Sequence, residues 1–224
     1  VDGADVSRYS QIGVVTPDHN IRTKNFPLLV PAPVAGALDD FKTAVQGAVD
    51  RYVADYHAYF ARNNARLGGV KTELDPMPRV ALVPGLGLFG IGKSAGEAAV
   101  AADIAENTVG TITDAEAIGR FDCIPEADMF DIEYWSLEQA KLGKGAEKPM
   151  ARQIVAITGG GGGIGAAIAA AFTRDGAEVA VLDVDLDAAA AVADRVGGMA
   201  VACDVTSADS VKAAFAAIGA RFGG

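Results

Sequence analysis

Five consecutive glycines, Gly159 to Gly163, stand between the apolar run QIVAIT and an alanine-rich stretch that follows Gly165. Bare backbone of this kind is suited to binding phosphate. Without Cβ atoms the chain can turn tightly at the end of a strand, a diphosphate can approach the backbone amides, and the next helix can pack close against the strand. A helix beginning near Gly163 would turn its free amides and positive pole toward an anion. Asp183 closes a second apolar run, EVAVLD, 24 residues after Gly159. A carboxylate there can accept hydrogen bonds from the ribose hydroxyls of an adenosine. A 2′-phosphate at the same place would meet like charge. No Lys or Arg lies between Thr158 and Ala171, and Val184 rather than a base follows Asp183, so NAD is expected in preference to NADP. The plainer alternative is a flexible glycine turn that binds nothing.

A second phosphate-type pattern competes with the first. GLFGIGKS, Gly87 to Ser94, satisfies G-x-x-x-x-G-K-[ST], in which Lys93 would reach the β and γ phosphates and Ser94 a magnesium ion. Its interior holds Leu88, Phe89 and Ile91, which fit a strand better than a nest of amides. The pattern makes a nucleoside triphosphatase a rival reading. Metal chemistry is bounded by the histidine count, since His19 and His57 are the only two and three imidazoles cannot be assembled from one chain. His57 falls within an amphipathic helical pattern and reads as a surface or packed residue. His19, in an apparent turn beside Asp18 and close to Arg22 and Lys24, is the better candidate for meeting an anionic sugar phosphate. Trp135 with Tyr134 and Leu137 reads as helix packing rather than a binding platform. DVDLDAAAAVADR lacks the glycine and closing glutamate of a calcium loop, and its acids suit a helix start.

The elements that must position these residues differ along the chain. Residues 1–36 are turn-rich, with QIGVV and FPLLV as possible strands. From Asp39 to about Leu67, Phe41, Val45, Val49, Tyr52, Tyr56 and Tyr59 recur at helical spacing, and Gly68 and Gly69 stop the pattern. PRVALVPGLGLFGIGKS reads as strand, turn, strand; AGEAAVAADIAENTVGTI as a helix; DMFDIEYWSLEQAKLG as a short acidic helix; KGAEKPMAR as a linker. After it the chain alternates: strand QIVAIT, helix Gly163 to Asp175, strand EVAVLD, helix Leu186 to Val196, strand MAVACDV, helix Ser207 to Phe222. That order predicts an α/β fold with a parallel doubly wound, Rossmann-like carboxyl-terminal half-domain, preceded by an α/β region. The boundary is placed near Pro149, giving regions 1–149 and 150–224.

Composition narrows the partners. Of 224 residues, 50% are apolar, enough for a real core, and 19 basic against 29 acidic side chains give a formal net charge of −10. Such a chain is a poor grip for nucleic acid. Cys123 and Cys203 fit no metal spacing, no charged-then-apolar signal segment opens the chain, and a reducing cytoplasm is expected. The uncharged run from Ile154 to Phe172 is nearly of membrane-spanning length, but its glycines and alanines argue against a membrane helix.

TGGGGGIG, Thr158 to Gly165, with Asp183 and CDVT at Cys203 to Thr206, resembles the short-chain dehydrogenase/reductase family over about 70 residues, the first half of that family's domain. The resemblance implies an NAD site in which Thr158 braces the turn and Gly159, Gly163 and Gly165 admit the pyrophosphate. Ile164 would pack under it, Asp183 hold the ribose, and Asp204 and Val205 border the adenine. The family's chemistry uses a Tyr and a Lys four apart with a Ser and an Asn. No Tyr here has a Lys four later, and the last is Tyr134. No catalytic residue is therefore assigned, and this chain alone is expected to be inactive. GLGLFGIGKSAGEAA is similar to a segment of class II aldolase/adducin domains, with Leu86 where a metal-binding His would stand. With VTPDHNIRTK, DYHAYFARN and FDIEYWSLEQAKLGK, it makes residues 1–149 resemble the connecting region of fused aldolase and short-chain dehydrogenase proteins of the rhamnulose-phosphate type, with Asn20 where a branched apolar residue is expected. These resemblances imply an internal fragment of a bifunctional protein that oxidises a hydroxyaldehyde such as lactaldehyde, or a sugar alcohol. The first strand of the second region would be left as an open sheet edge, to be covered by another copy, the N-terminal region or the rest of a longer protein. A non-catalytic NAD sensor or scaffold is the alternative from another class.

Overall fold

The computed structural model describes residues 1–3, 5–141 and 148–223. The fold is mixed α/β, in two compact units: Val1–Gly92 with Gly96–Lys144, and Lys93–Ala95 with Gly145–Gly224.

The first unit is built around a strand that is buried on both faces. In order it carries α1 (Val6–Tyr9), α2 (Pro17–Thr23), β1 (Leu28–Leu29), α3 (Leu38–Arg66), β2 (Val80–Val83), β3 (Gly87–Gly90), α4 (Ala95–Ile118), α5 (Glu126–Glu133) and α6 (Ser136–Ala140). The sheet order is β1-β2-β3, with β1 parallel and β3 antiparallel to β2. Side chains alternate across a strand, and VALV uses both sides. Ala81 and Val83 join Leu28, Val30 and the α3 residues Phe41, Val45, Val49 and Tyr52, while Val80 and Leu82 join Ala101 and Ala105 of α4. The long helix therefore packs by the stripe its spacing predicts, and it ends where Gly68 and Gly69 adopt φ of +83° and +76°.

Three local expectations change. QIGVV forms no strand, and FPLLV contributes only Leu28–Leu29. His19 lies not in a turn but in α2, whose first turn is capped by the Thr16 hydroxyl accepting from the His19 amide. The acidic helix is two helices, α5 and α6, broken at Tyr134 and Trp135. The break sends Tyr134 inward, stacked on Phe130 at 4.3 Å, and leaves Trp135 and Leu137 51% and 62% exposed, so those two do not pack as expected.

Against α3, α5 buries a polar cluster. The Glu133 carboxylate accepts hydrogen bonds from Tyr56 and Tyr59, both at 2.9 Å, and lies 3.8 Å from the Lys24 ammonium, which sits over the Tyr56 ring. Burial pushes the Lys24 amine down to about 8, with Glu133 opposing the shift. Between pH 8 and about 9.5 the folded chain has released this proton while the unfolded chain still holds it, so stability should rise with pH by about 1–2 kcal/mol. Above about pH 10 the sign reverses. Unfolded tyrosines then ionise, whereas burial holds Tyr52, Tyr56 and Tyr59 protonated in the fold. Urea midpoints at pH 7 and 9.5 should show the rise in the wild type and none in Lys24→Met.

The second unit alternates β4 (Ile154–Thr158), α7 (Gly163–Arg174), β5 (Glu178–Asp183), α8 (Leu186–Val196), β6 (Met199–Ala202) and α9 (Ala208–Phe222). All three strands are parallel in the order β4-β5-β6. Val179 and Val181 of the central strand pack with Ala169 of α7 and Ala189, Val192 and Ala193 of α8. Ala180 and Leu182 pack with Ala214 and Ile218 of α9 on the other face. Helices on both faces make the sheet doubly wound. Among the described residues β4 has a neighbour on one side only, and its Ala156 is exposed. The acidic start of α8 is a cap, since Asp185 accepts from the amides of Asp187 and Ala188, both at 3.1 Å. Asp185→Ala should cost this unit about 1 kcal/mol in urea unfolding. Among the described residues no helix is long and apolar enough to cross a membrane.

Candidate functional site

The glycine run turns the chain at the carboxyl ends of β4 and β5, where ligands bind in open α/β sheets. Thr158 ends β4 with its side chain exposed. Gly159 follows at φ +63°, a conformation that side chains rarely adopt. The Gly160 amide donates to the Leu182 carbonyl at 2.9 Å and the Gly162 amide to the Gly159 carbonyl at 3.2 Å, so backbone bonds hold the turn. The Gly161 amide donates to Asp183 Oδ2 at 3.0 Å, and the Asp185 amide to its Oδ1 at 3.1 Å. These two amides, Asp185 first, hold the Asp183 carboxyl below its ordinary range. The acid and the loop expected to share one ligand thus lie in direct contact.

The corner fits a dinucleotide through the open backbone at Gly163, while Gly161 and Gly165 are required by close packing of the chain on itself. At Gly161 a Cβ would meet Ala188 Cβ at 2.8 Å and Asp183 Oδ2 at 3.0 Å, and at Gly165 it would fall on the Gly159 carbonyl and 2.6 Å from Gly160 Cα. Nothing lies within 4 Å of the position a Cβ would take at Gly163. Helices α8 and α9 are capped by the Asp185 and Ser207 side chains, whereas α7 starts from Gly162 with no side-chain cap. Its first-turn amides, at Gly163, Ile164 and Gly165, lack intrahelical partners. At the same end of the sheet Ile164, Val184 and Val205 are 82%, 72% and 61% exposed, apolar surface suited to the flat face of a base.

Asp204 has a local task. Its Oδ1 accepts from the Thr206 amide at 2.9 Å and hydroxyl at 2.7 Å, the hydroxyl being the larger reason that its carboxyl is held low. Gly160 and Gly161, absent from the expected contacts, are the glycines that bond to the end of β5, Gly160 to the Leu182 carbonyl and Gly161 to the Asp183 carboxylate. Only the unbroken run of five glycines signals them.

The other candidates separate from this corner. Gly87–Gly90 is a strand laddered to β2, which commits half of the triphosphate-loop pattern to a hairpin. A Cβ at Gly90 would meet the Ala102 amide at 2.8 Å, so this glycine serves the close packing of α4. His19 Nδ1 lies 3.1 Å from the Thr108 hydroxyl, and burial lowers its pKa, which favours the neutral ring over an anion-binding cation. His57 pairs at the surface with Glu73 at 2.6 Å. Asn20 is fully buried and donates to the Met129 carbonyl at 3.4 Å. No three His, Cys, Asp or Glu side chains lie together as metal ligands among the described residues, and Leu86 is 61% exposed where the resemblance would put a His, so these residues do not fit a zinc centre.

Comparison with known proteins follows the division of the fold. Residues 1–142 match the family "Aldolase class II, second domain", and the chain belongs to that family. Residues 159–224 match "Enoyl-(Acyl carrier protein) reductase". The uncharacterized oxidoreductase YuxG of Bacillus subtilis is 31% identical over 100% of this chain and 33% of its own length. D-threitol dehydrogenase of Mycolicibacterium smegmatis is 42% identical over 32% of this chain and 29% of its own length. The solved 3-ketoacyl-(acyl-carrier-protein) reductase of Brucella melitensis, complexed with NADH, is 36% identical with a TM-score of 0.33, over 33% of this chain and 31% of that one. The chain thus spans about a third or less of the curated relatives it matches, 33% and 29% of these two.

Proposed function

We propose that residues 150–224 are the NAD-binding half of a short-chain dehydrogenase domain, joined through an aldolase-like region, residues 1–149, to a longer bifunctional protein of sugar metabolism. The observation that carries this reading is the contact of the Gly161 amide with Asp183 in a corner where Gly161 and Gly165 admit no Cβ and the backbone at Gly163 stands open. The amides of Gly163, Ile164 and Gly165 would bind the pyrophosphate and Asp183 the ribose diol, exchanging its two amide bonds for bonds from the hydroxyls. Thr158 would border the turn, and Ile164 and Val205 would flank the cofactor, with Asp204 shaping the loop beside the adenine. Bound nicotinamide dinucleotide supplies hydride transfer. The chain's own residues bind and orient it, and with no Tyr-x-x-x-Lys the proton step falls to residues this chain does not carry. A hydroxyaldehyde such as lactaldehyde, within rhamnose breakdown, or a sugar alcohol is the proposed substrate. The D-threitol dehydrogenase relative supports the sugar alcohol, and a reducing cytoplasm is the proposed setting.

The test is calorimetric. NADH should bind at least about tenfold more tightly than NADPH, a difference of about 1.4 kcal/mol, because the 2′-phosphate would face the Asp183 carboxylate. Asp183→Asn should lower NADH affinity about tenfold and narrow the gap to NADPH. Absence of heat with either dinucleotide would remove the reading.

A further inference from the structure

The layer between the β2–β3 hairpin and α4 in the first unit is hollow. Its core cluster sets Val80 and Leu82 against two alanines of α4, Ala101 and Ala105, where a helix usually presents larger side chains. Ala105 lines a partly open cavity of about 160 Å³. Val80, Leu82 and Leu88 of the hairpin, Val109 and Ile112 of α4, and Val6 and Tyr9 of α1 line it. Protein interiors are close-packed, and voids larger than a water molecule are few. An apolar cavity of about 150 Å³ in another protein stays dry and takes up benzene.

The polar groups at the edge decide what else the occupant needs. Thr108 donates to the Ile104 carbonyl at 3.0 Å and Thr113 to the Val109 carbonyl at 2.9 Å, so neither hydroxyl proton is offered inward. Thr23 donates to the His19 carbonyl at 2.8 Å. Asn25, which also lines the cavity, accepts from the Val14 amide at 3.2 Å through Oδ1. That bond fixes the amide's orientation and leaves Nδ2, which has no hydrogen-bond partner among the described residues, as a donor. The Lys24 ammonium is held by Glu133 and the Tyr56 ring, neither of which lines the cavity.

We propose that this cavity is a binding site for a small uncharged molecule with a compact apolar body and one acceptor oxygen, which would meet Asn25 Nδ2. A charged ligand would lose its hydration against walls that return almost no hydrogen bonds. The site belongs to the first unit and does not depend on the dinucleotide reading. Benzyl alcohol and benzene are the probes. Both should raise the thermal midpoint of the full chain saturably at millimolar concentration, benzyl alcohol binding severalfold more tightly because only it offers an acceptor. Ala105→Leu, which fills the space, should remove both shifts. Should that variant fail to fold, xenon-pressurised wild-type crystals decide: a xenon atom between α4 and the hairpin supports the site, and an empty density there overturns it. Equal shifts in the wild type and Ala105→Leu, or none in the wild type, also overturn it, and equal affinity for the two probes overturns the assigned acceptor.

Discussion

Gly165→Val should cost the second unit at least about 3 kcal/mol and abolish dinucleotide binding, because its new side chain would collide with backbone rather than with a movable side chain. A Cβ at this position falls on the Gly159 carbonyl and 2.6 Å from Gly160 Cα, so α7 must lift away from the turn that it packs against. Urea unfolding measures the first effect and calorimetry with NADH the second. Gly163→Ala separates the cofactor from the fold. Nothing lies within 4 Å of its Cβ position, and an alanine in the first helical turn should leave stability unchanged or raise it by about 0.5–1 kcal/mol. The same methyl would stand where the pyrophosphate must approach, so NADH affinity should drop about tenfold in a protein that is no less stable. Undiminished affinity in Gly163→Ala would show that the diphosphate does not sit on that amide.

Glu133→Ala should destabilise the first unit by about 3–5 kcal/mol, since it removes one partner of a buried charge pair and leaves the other in place. Glu133 is 3% exposed and Lys24 7% exposed, and the same carboxylate is the acceptor for the hydroxyls of Tyr56 and Tyr59. Tyr56 retains the Tyr134 hydroxyl at 2.9 Å, whereas Tyr59 loses its acceptor. The double replacement Glu133→Leu with Lys24→Met should recover a large part of the loss, because two apolar side chains of similar volume leave no charge to desolvate. Urea unfolding of the two single variants and the double gives the coupling directly, and strictly additive losses would show that Lys24 and Glu133 do not act as a pair.

Much of the second unit is legible from its residues. Each strand of that unit is a short apolar run, each helix has a local stop or cap, and the glycine run and Asp183 are positioned by the same strand-turn-helix unit that they mark. The first unit is less legible for a physical reason. QIGVV has the composition of a strand, yet a strand needs a partner, and β1 reaches β2 only across the length of α3. The same holds for DMFDIEYWSLEQAKLG: its composition suits one helix, but packing of Phe130 and Tyr134 against α3 outweighs continuity and breaks it in two.

By itself the amino-acid order determined the alternation of the second unit, the bare corner at Gly159 to Gly165 and the acid that faces it, because backbone freedom, capping and period are properties of neighbours along the chain. Only the tertiary structure decided that Asp183 rests on the Gly161 amide, that Asp204 is committed to its own loop, that Glu133 meets Tyr56 across 77 positions, and that α4 leaves a hollow against its hairpin. Those outcomes depend on how elements distant in sequence share space, and on the cost of leaving a buried polar group without a partner or a core without a filling side chain.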